Sequence, residues 1–221
     1  MQQLAAESAA HDDALGWFDR LYTTAGGDAS TIPWADLRPN AIFVQWAESV
    51  GLDGRDGKRR ALVVGCGLGD DAEALATIGF DVTAFDISPA AVEWAKRRFP
   101  ATGVSYVTAD LLKAPAEWRQ RFDFVLESYT LQVLPAALRR EAMARLGELV
   151  APGGSLLVIA RGREENEPAG EQVPWKLARS EFAPLADAGL IESSFEMFMD
   201  VEDPPVRRLC AVYTLPFQAT R

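Results

Sequence analysis

The run Ala61-Leu62-Val63-Val64, followed at once by Gly65-Cys66-Gly67-Leu68-Gly69 and then Asp70-Asp71, constrains this chain more than any other feature. Apolar residues without polar alternation suit a strand buried on both faces, as in a parallel sheet. The glycines allow a tight turn whose backbone a ligand can approach closely. A helix expected over residues 70–78 and closed by Gly79 completes a strand–turn–helix unit. Parallel strands need such crossovers, so the unit has to recur.

It does. Residues 80–86 read as a second strand, and Ser88-Pro89 as an N-cap with proline at the first helical position. The helix that follows turns Val92, Ala95 and Phe99 inward and stops at Pro100. Residues 104–108 and 122–126 are further strands, and a helix from Pro135 carries Leu138, Ala142, Leu146 and Leu149 on one stripe. Pro152-Gly153-Gly154 is expected to turn the chain into a fifth strand over 155–160, and Ser180 to cap a helix ending at Gly189. Strands over 191–199 and 207–215, joined by a Pro204-Pro205 turn with no helix between them, make an antiparallel hairpin. The expected fold is α/β: a doubly wound, seven-stranded, mostly parallel sheet with a C-terminal antiparallel hairpin.

Ahead of the sheet, residues 13–22 carry Leu15, Trp17, Phe18, Leu21 and Tyr22 at helical spacing. Residues 23–30, with Gly26-Gly27, read as a mobile loop. Pro39 opens a helix that presents Ile42, Phe43, Trp46, Ala47 and Val50 on one face; Trp46 and Trp94 are assigned to the core. Residues 161–174 are charged, rich in Gly and Pro and aperiodic, which is the pattern of a functional or disordered loop.

Acidic residues outnumber basic ones 32 to 22, for a formal net charge of −10, which argues against a nucleic-acid or anionic-membrane partner. The basic groups Lys58-Arg59-Arg60, Lys96-Arg97-Arg98 and Arg139-Arg140 are short, flanked by acids, and read as solvated faces. Cys66 and Cys210 sit in apolar sequence as reduced, structural cysteines, and with His11 the only histidine no metal site is expected. The N-terminus has no signal-peptide pattern and no apolar run spans a membrane, so the expected location is cytoplasmic.

The chemistry begins at the turn. A dinucleotide fingerprint needs a small residue where this chain has Asp70. Two carboxylates at that helix start oppose a pyrophosphate, which argues against a nicotinamide-dependent reductase. They suit a ligand carrying an ammonium and a sulfonium and no phosphate, as S-adenosylmethionine is; a helix-capping role is the alternative. Asp86, 21 residues after Gly65, ends the second strand and can accept from both ribose hydroxyls. Asp110 ends the third strand, placed for an adenine amino group that Leu111 and Ile87 border.

Residues 61–71, Phe85-Asp86-Ile87-Ser88, Ala109-Asp110-Leu111 and 122–127 together resemble the successive motifs of class I S-adenosylmethionine-dependent methyltransferases, over about residues 61–160. That resemblance implies Gly65, Cys66 and Gly67 at the methionine part of the donor, with Asp70 close by. It puts Asp86 at the ribose, Asp110, Leu111 and Ile87 at the adenine, and Glu127 and Ser128 beside the methyl donor. It also implies one methyltransferase domain over 1–221, with 1–58 as a helical extension and 59–221 as a Rossmann-like core.

Residues 17–22, Ile32-Pro33-Trp34 and Val173-Pro174-Trp175 resemble the thiopurine S-methyltransferases and their bacterial relatives. This implies that Trp17, Tyr22 and Trp34 fold over the donor as a lid and that a small thiol is the acceptor, with Tyr129 and Trp175 on the substrate side. Aromatic faces stabilise a sulfonium, although core packing is the commoner role of any one aromatic. A thiol needs little acid–base help, so no catalytic residue is assigned; Tyr129, Glu127 and Asp19 are base candidates for a hydroxyl or amine. The alternatives are O- or N-methylation of a small metabolite, or donor binding without catalysis. A monomer or weak homodimer is expected.

Overall fold

In the computed structural model, which describes residues 2–10, 13–56 and 59–217, the buried apolar runs become the strands that the sequence leads one to expect. His11 and Lys58 lie outside the described residues. Seven strands occur in the sheet order β3-β2-β1-β4-β5-β7-β6. The chain divides into two compact units, Met1–Lys113 and Ala114–Arg221.

The first unit holds helices α1 (Gln2–Ala10), α2 (Trp17–Ala25) and α3 (Ala41–Val50), then β1 (Arg60–Val64), α4 (Asp70–Thr77), β2 (Asp81–Asp86), α5 (Pro89–Arg98) and β3 (Ser105–Thr108). β1 pairs with β2, and β2 with β3, all parallel; Val64 stands opposite Phe85, and Asp86 opposite Thr108. Residues 61–64 are buried to the last atom or nearly so, as a strand covered on both faces requires. Ser88 Oγ accepts from Ala91 N–H at 3.0 Å, the cap expected for α5, while Lys96, Arg97 and Arg98 close its last turn, where the helix dipole favours cations.

The N-terminal part departs from expectation. Its aromatic helix begins four residues late, at Trp17, and ends on Gly26, whose φ of 58° supplies the left-handed C-cap. Part of the expected 23–30 loop is therefore helix, and Ala29–Thr31 is a 3₁₀ turn capped by Asp28. Asn40, not Pro39, caps α3, its Oδ1 accepting from Ile42 and Phe43 N–H. On α3 only Phe43 and Ala47 are buried; Trp46 is half-buried, so the core assignment holds for Trp94 and not for Trp46.

The second unit holds β4 (Phe122–Ser128), α6 (Ala136–Leu149), β5 (Val150–Arg161), α7 (Ala183–Asp187), β6 (Ile191–Met199) and β7 (Arg207–Thr214). β4 and β5 are parallel; β7 runs antiparallel to both β5 and β6, which makes the closing hairpin. Pro152-Gly153-Gly154 is a bulge inside β5 rather than a turn before it: the register slips between Phe122 and Phe124. A Cβ on Gly154 would meet three backbone oxygens within 3.0 Å, so only glycine lets the strand continue there. Ser180 does not cap a long helix. Residues Arg179–Phe182 form a 3₁₀ turn and α7 starts after it with Pro184 in its first turn, where a missing N–H costs nothing. Ser180 instead gives its N–H and Oγ–H to Glu165.

Candidate active site

Three glycines of the turn after β1 have positive φ, 60° at Gly65, 51° at Gly67 and 94° at Gly69, conformations that side chains rarely adopt. Gly67 N–H donates to Asp86 Oδ2 at 3.0 Å, and Ser88 N–H to Asp86 Oδ1 at 2.9 Å. Asp86 thus fastens the end of β2 to the turn after β1. With Ile87 N–H as a further backbone donor, the carboxylate is held by the main chain on both sides of the strand end. Burial dominates its titration, raising it to about 6 against the lowering by its backbone donors.

Above this turn stands the N-terminal segment. Trp34 Nε1–H donates to Tyr22 Oη at 2.8 Å, and an added Cβ on Gly67 would lie 3.0 Å from that oxygen. Trp17 is fully buried, stacked on Phe18 and edge-on to Trp34. Asp19 Oδ1 accepts from Ser88 Oγ–H at 2.7 Å and from Ala90 N–H at 3.1 Å, which ties α2 to the start of α5. Sequence reasoning took Asp19 for a base candidate; its anchoring role carries no local signal, since its partners lie some seventy positions away.

The paired acids of α4 go separate ways. Both oxygens of Asp70 are held by Arg98, at 2.6 and 2.8 Å, and Arg98 also donates to Leu68 O. Arg98 is therefore not part of a solvated basic face, and Asp70 has its charge matched by a guanidinium. Asp71 accepts from Asn40 N–H at 2.7 Å; burial raises it to about 6, with Asp70 adding to the rise. Asp110 is half-buried, its Oδ1 taking Leu112 N–H, beside a buried Leu111; Ile87 is half-buried. Cys66 is buried, and burial with the neighbouring Asp86 charge pushes its thiol well up, so it stays protonated. The structure thus brings Gly65, Cys66, Gly67, Asp86, Tyr22 and Trp34 around one turn.

In the second unit Glu127 is completely buried at the end of β4. Its Oε1 accepts from Thr130 and Leu131 N–H at 2.7 and 2.8 Å, and its Oε2 has no hydrogen-bond partner among the described residues. Burial raises it to about 7 despite those two donors. Ser128 is half-buried, and Tyr129 has φ of 64°, a strained value for a residue with a side chain. The Arg208 guanidinium lies 5.1 Å from the Tyr129 ring and pairs with Asp200 and Glu202. Trp175 is half-buried; its backbone N–H donates to Gln132 O at 2.8 Å, and the Gln132 side chain accepts from Arg161 N–H. The expected open loop after β5 is organised by Arg163, which donates to the carbonyls of Glu164, Glu165, Glu167 and Lys176.

Residues 61–154 match a family model described as a methyltransferase domain. Residues 61–154 are therefore a methyltransferase domain, and the sheet has the class I S-adenosylmethionine-dependent methyltransferase fold. A probable thiol methyltransferase of Arabidopsis thaliana is 27% identical over 181 residues, covering 80% of this chain and 74% of the plant protein. An uncharacterized methyltransferase of Mycobacterium tuberculosis is 36% identical over 103 residues, 47% of this chain and about half, 51%, of that relative. Among solved structures, a Burkholderia thailandensis N1-methyltransferase with bound 1,6-didemethyltoxoflavin and S-adenosylhomocysteine superposes with a TM-score of 0.65 at 18% identity, over 88% of this chain and 85% of that one. No helix among the described residues of this methyltransferase is long and apolar enough to cross a membrane.

Proposed function

We propose that this methyltransferase transfers the methyl group of S-adenosylmethionine to the sulfur of a small thiol. The observation that carries the reading is the Trp34–Tyr22 pair standing over Gly67. It belongs to the N-terminal segment whose residues resemble thiol-specific relatives, and the likeness to the plant protein extends well beyond residues 61–154. The turn suits the donor: Gly65 and Gly67 hold left-handed backbone without side chains beside the Asp86 carboxylate, a ready acceptor for ribose hydroxyls.

The donor supplies an electrophilic methyl group on a sulfonium sulfur. The chain has to hold that group, orient it and keep water away. Trp17, Tyr22 and Trp34 provide an apolar roof with aromatic faces that favour a cation. Tyr22 does not act as a base, because burial and the Asp86 carboxylate push its hydroxyl well above the ordinary tyrosine value. A thiol is partly ionised at neutral pH, so the acceptor thiolate, its proton lost to solvent, would take the methyl group as the donor's sulfonium carbon–sulfur bond breaks and S-adenosylhomocysteine leaves.

Labelled donor offered to a panel of small thiols, phenols and amines tests this. Thiols should be methylated, with rates following the ionisation of each thiol. Turnover of a phenol or amine with no thiol methylated would refute it.

A further inference from the structure

Lys96, Arg97 and Arg98 stand together at the end of α5, where the helix dipole alone would account for three cations. Lys96 and Arg97 behave accordingly: both are exposed, and Lys96 pairs with Glu93 of its own helix. Arg98 does not. Its fork leaves α5 and reaches the turn after β1, 30 positions earlier in the chain at Leu68.

Arg98 Nη1 carries two hydrogens and uses both, one on Leu68 O and one on Asp70 Oδ2, each at 2.6 Å. Nη2 closes the fork on Asp70 Oδ1 at 2.8 Å. Asp70 thus aims the guanidinium, and the guanidinium holds a main-chain carbonyl. That carbonyl belongs to the residue between Gly67 and Gly69, whose left-handed φ values glycine adopts freely and leaves as freely. Backbone this permissive keeps one conformation only if it is fastened from outside. The Gly67 N–H bond to Asp86 fastens it on one side and the Arg98 bond to Leu68 O on the other. Tyr106 of β3 backs the end of the turn: a Cβ on Gly69 would run into its Oη, which donates to Glu73 of α4 at 2.8 Å. The side chains of Arg98 and Asp70 are 21% and 17% exposed, so solvent screens this pair far less than the surface pair of Lys96 and Glu93.

We infer that Arg98 is a positioning residue for the methyl donor: by holding Leu68 O it keeps the 65–69 turn in the conformation that receives S-adenosylmethionine. The inference rests on the donor lying at this turn and is independent of the acceptor. A turn left free has to be ordered by its ligand, and fixing the backbone of one residue is worth about 5- to 30-fold in affinity.

Calorimetry with S-adenosylhomocysteine, and amide-resolved hydrogen exchange on the unliganded protein, test this. Arg98→Met keeps the aliphatic stem and removes the bonds to Leu68 and Asp70. Binding should weaken by about 5- to 30-fold, and the amides of Gly67 and Gly69 should exchange faster while those of residues 61–64 stay as in the wild type. Arg98→Lys should recover part of both, since an ammonium can reach one acceptor without the planar fork. Arg98→Met combined with Asp70→Asn, which leaves no bare carboxylate, should bind as weakly as Arg98→Met alone. A merely structural ion pair would lower the melting temperature of Arg98→Met and leave the affinity of the folded protein within about twofold of the wild type, and that result overturns the inference. So does recovery of affinity in the double variant, which would assign the loss to the bared Asp70 charge. Gly67→Ala separates the two readings. If it weakens S-adenosylhomocysteine binding and Arg98→Met does not, the donor site stands and the positioning role falls; if neither variant changes affinity, both fall.

Discussion

Replacing Asp86 by Asn tests the donor site without collapsing it. Alanine is the wrong choice, because Gly67 and Ser88 N–H would both lose their acceptor inside the protein, at about 1–3 kcal/mol each. Asparagine keeps one acceptor oxygen and loses one of the two bonds. Against that loss stands a gain. Burial lifts the Asp86 carboxyl from 3.8 to about 6, so keeping it ionised at pH 8 costs roughly 3 kcal/mol that a neutral amide does not incur. The two effects are similar in size and opposite in sign, so the melting temperature of Asp86→Asn at pH 8 should stay within about 6 °C of the wild type.

Donor affinity should behave differently. Hydrogen bonds from ribose hydroxyls to a carboxylate are worth about 1.5–3 kcal/mol, so Asp86→Asn should weaken S-adenosylhomocysteine binding about 10- to 150-fold in calorimetry. Its pH dependence has a definite sign. The ionised carboxylate is the better acceptor, so wild-type affinity should fall as pH drops below about 6, and the Asn variant should show no such fall. An Asn variant that binds S-adenosylhomocysteine within twofold of the wild type at pH 8 would refute the ribose assignment.

Three further outcomes follow from the same geometry. Gly67→Ala should weaken S-adenosylhomocysteine binding at least tenfold, since its Cβ would press on Tyr22 Oη and its φ is left-handed, with a strain cost of about 1–2 kcal/mol; unchanged affinity in calorimetry would contradict this. Tyr22→Phe removes the acceptor of Trp34 Nε1–H and should lower kcat/KM up to about tenfold, while hydrogen exchange across residues 17–34 should become less dependent on donor than in the wild type. Glu127 has its carboxyl raised from 4.5 to about 7, so the wild type should lose about 3 kcal/mol of stability from this group between those pH values; urea unfolding of Glu127→Gln at pH 5 and pH 8 should show that the loss is absent, and a constant difference from wild type at both pH values would count against it.

Much of the fold is legible because burial on both faces leaves a strand no polar positions, as residues 61–64 and 124–126 display. The Ser88-Pro89 cap is legible because its hydrogen bond is local. What fails to show in sequence depends on partners far along the chain. Arg98 and Arg139 look like solvated cations, but their carboxylates lie 28 and 42 positions away, at Asp70 and Glu181. Pro152-Gly153-Gly154 reads as a turn because the same residues serve turns and bulges, and the choice is made by the neighbouring strand. The glycines and acids of the proposed donor site stand out in the sequence, whereas the bond from Gly67 to Asp86 that joins two of them does not.

Three acids, the part-buried Asp71 and the buried Asp86 in the first unit and the buried Glu127 in the second, share a property that separates them from the acids that merely hold loops. Asp28 and Glu165 also accept backbone N–H bonds, but at the surface, and their bonds keep them below the ordinary carboxylate range. In these three, desolvation outweighs the same kind of bond and the carboxyl is raised. An amide of the same shape would satisfy part of those N–H groups without the cost of an ionised oxygen inside the protein. Retaining a carboxylate at such a position is the mark of a site at which charge is used. For Asp86 the proposed use is the ribose of the donor. Glu127 holds Thr130 and Leu131 N–H with one oxygen, while its Oε2 is buried without a partner among the described residues. Amide replacements at the two positions should therefore agree in direction, conserving or raising stability at pH 8 while activity falls. A pair that lost stability and kept activity would show these acids to be scaffolding after all.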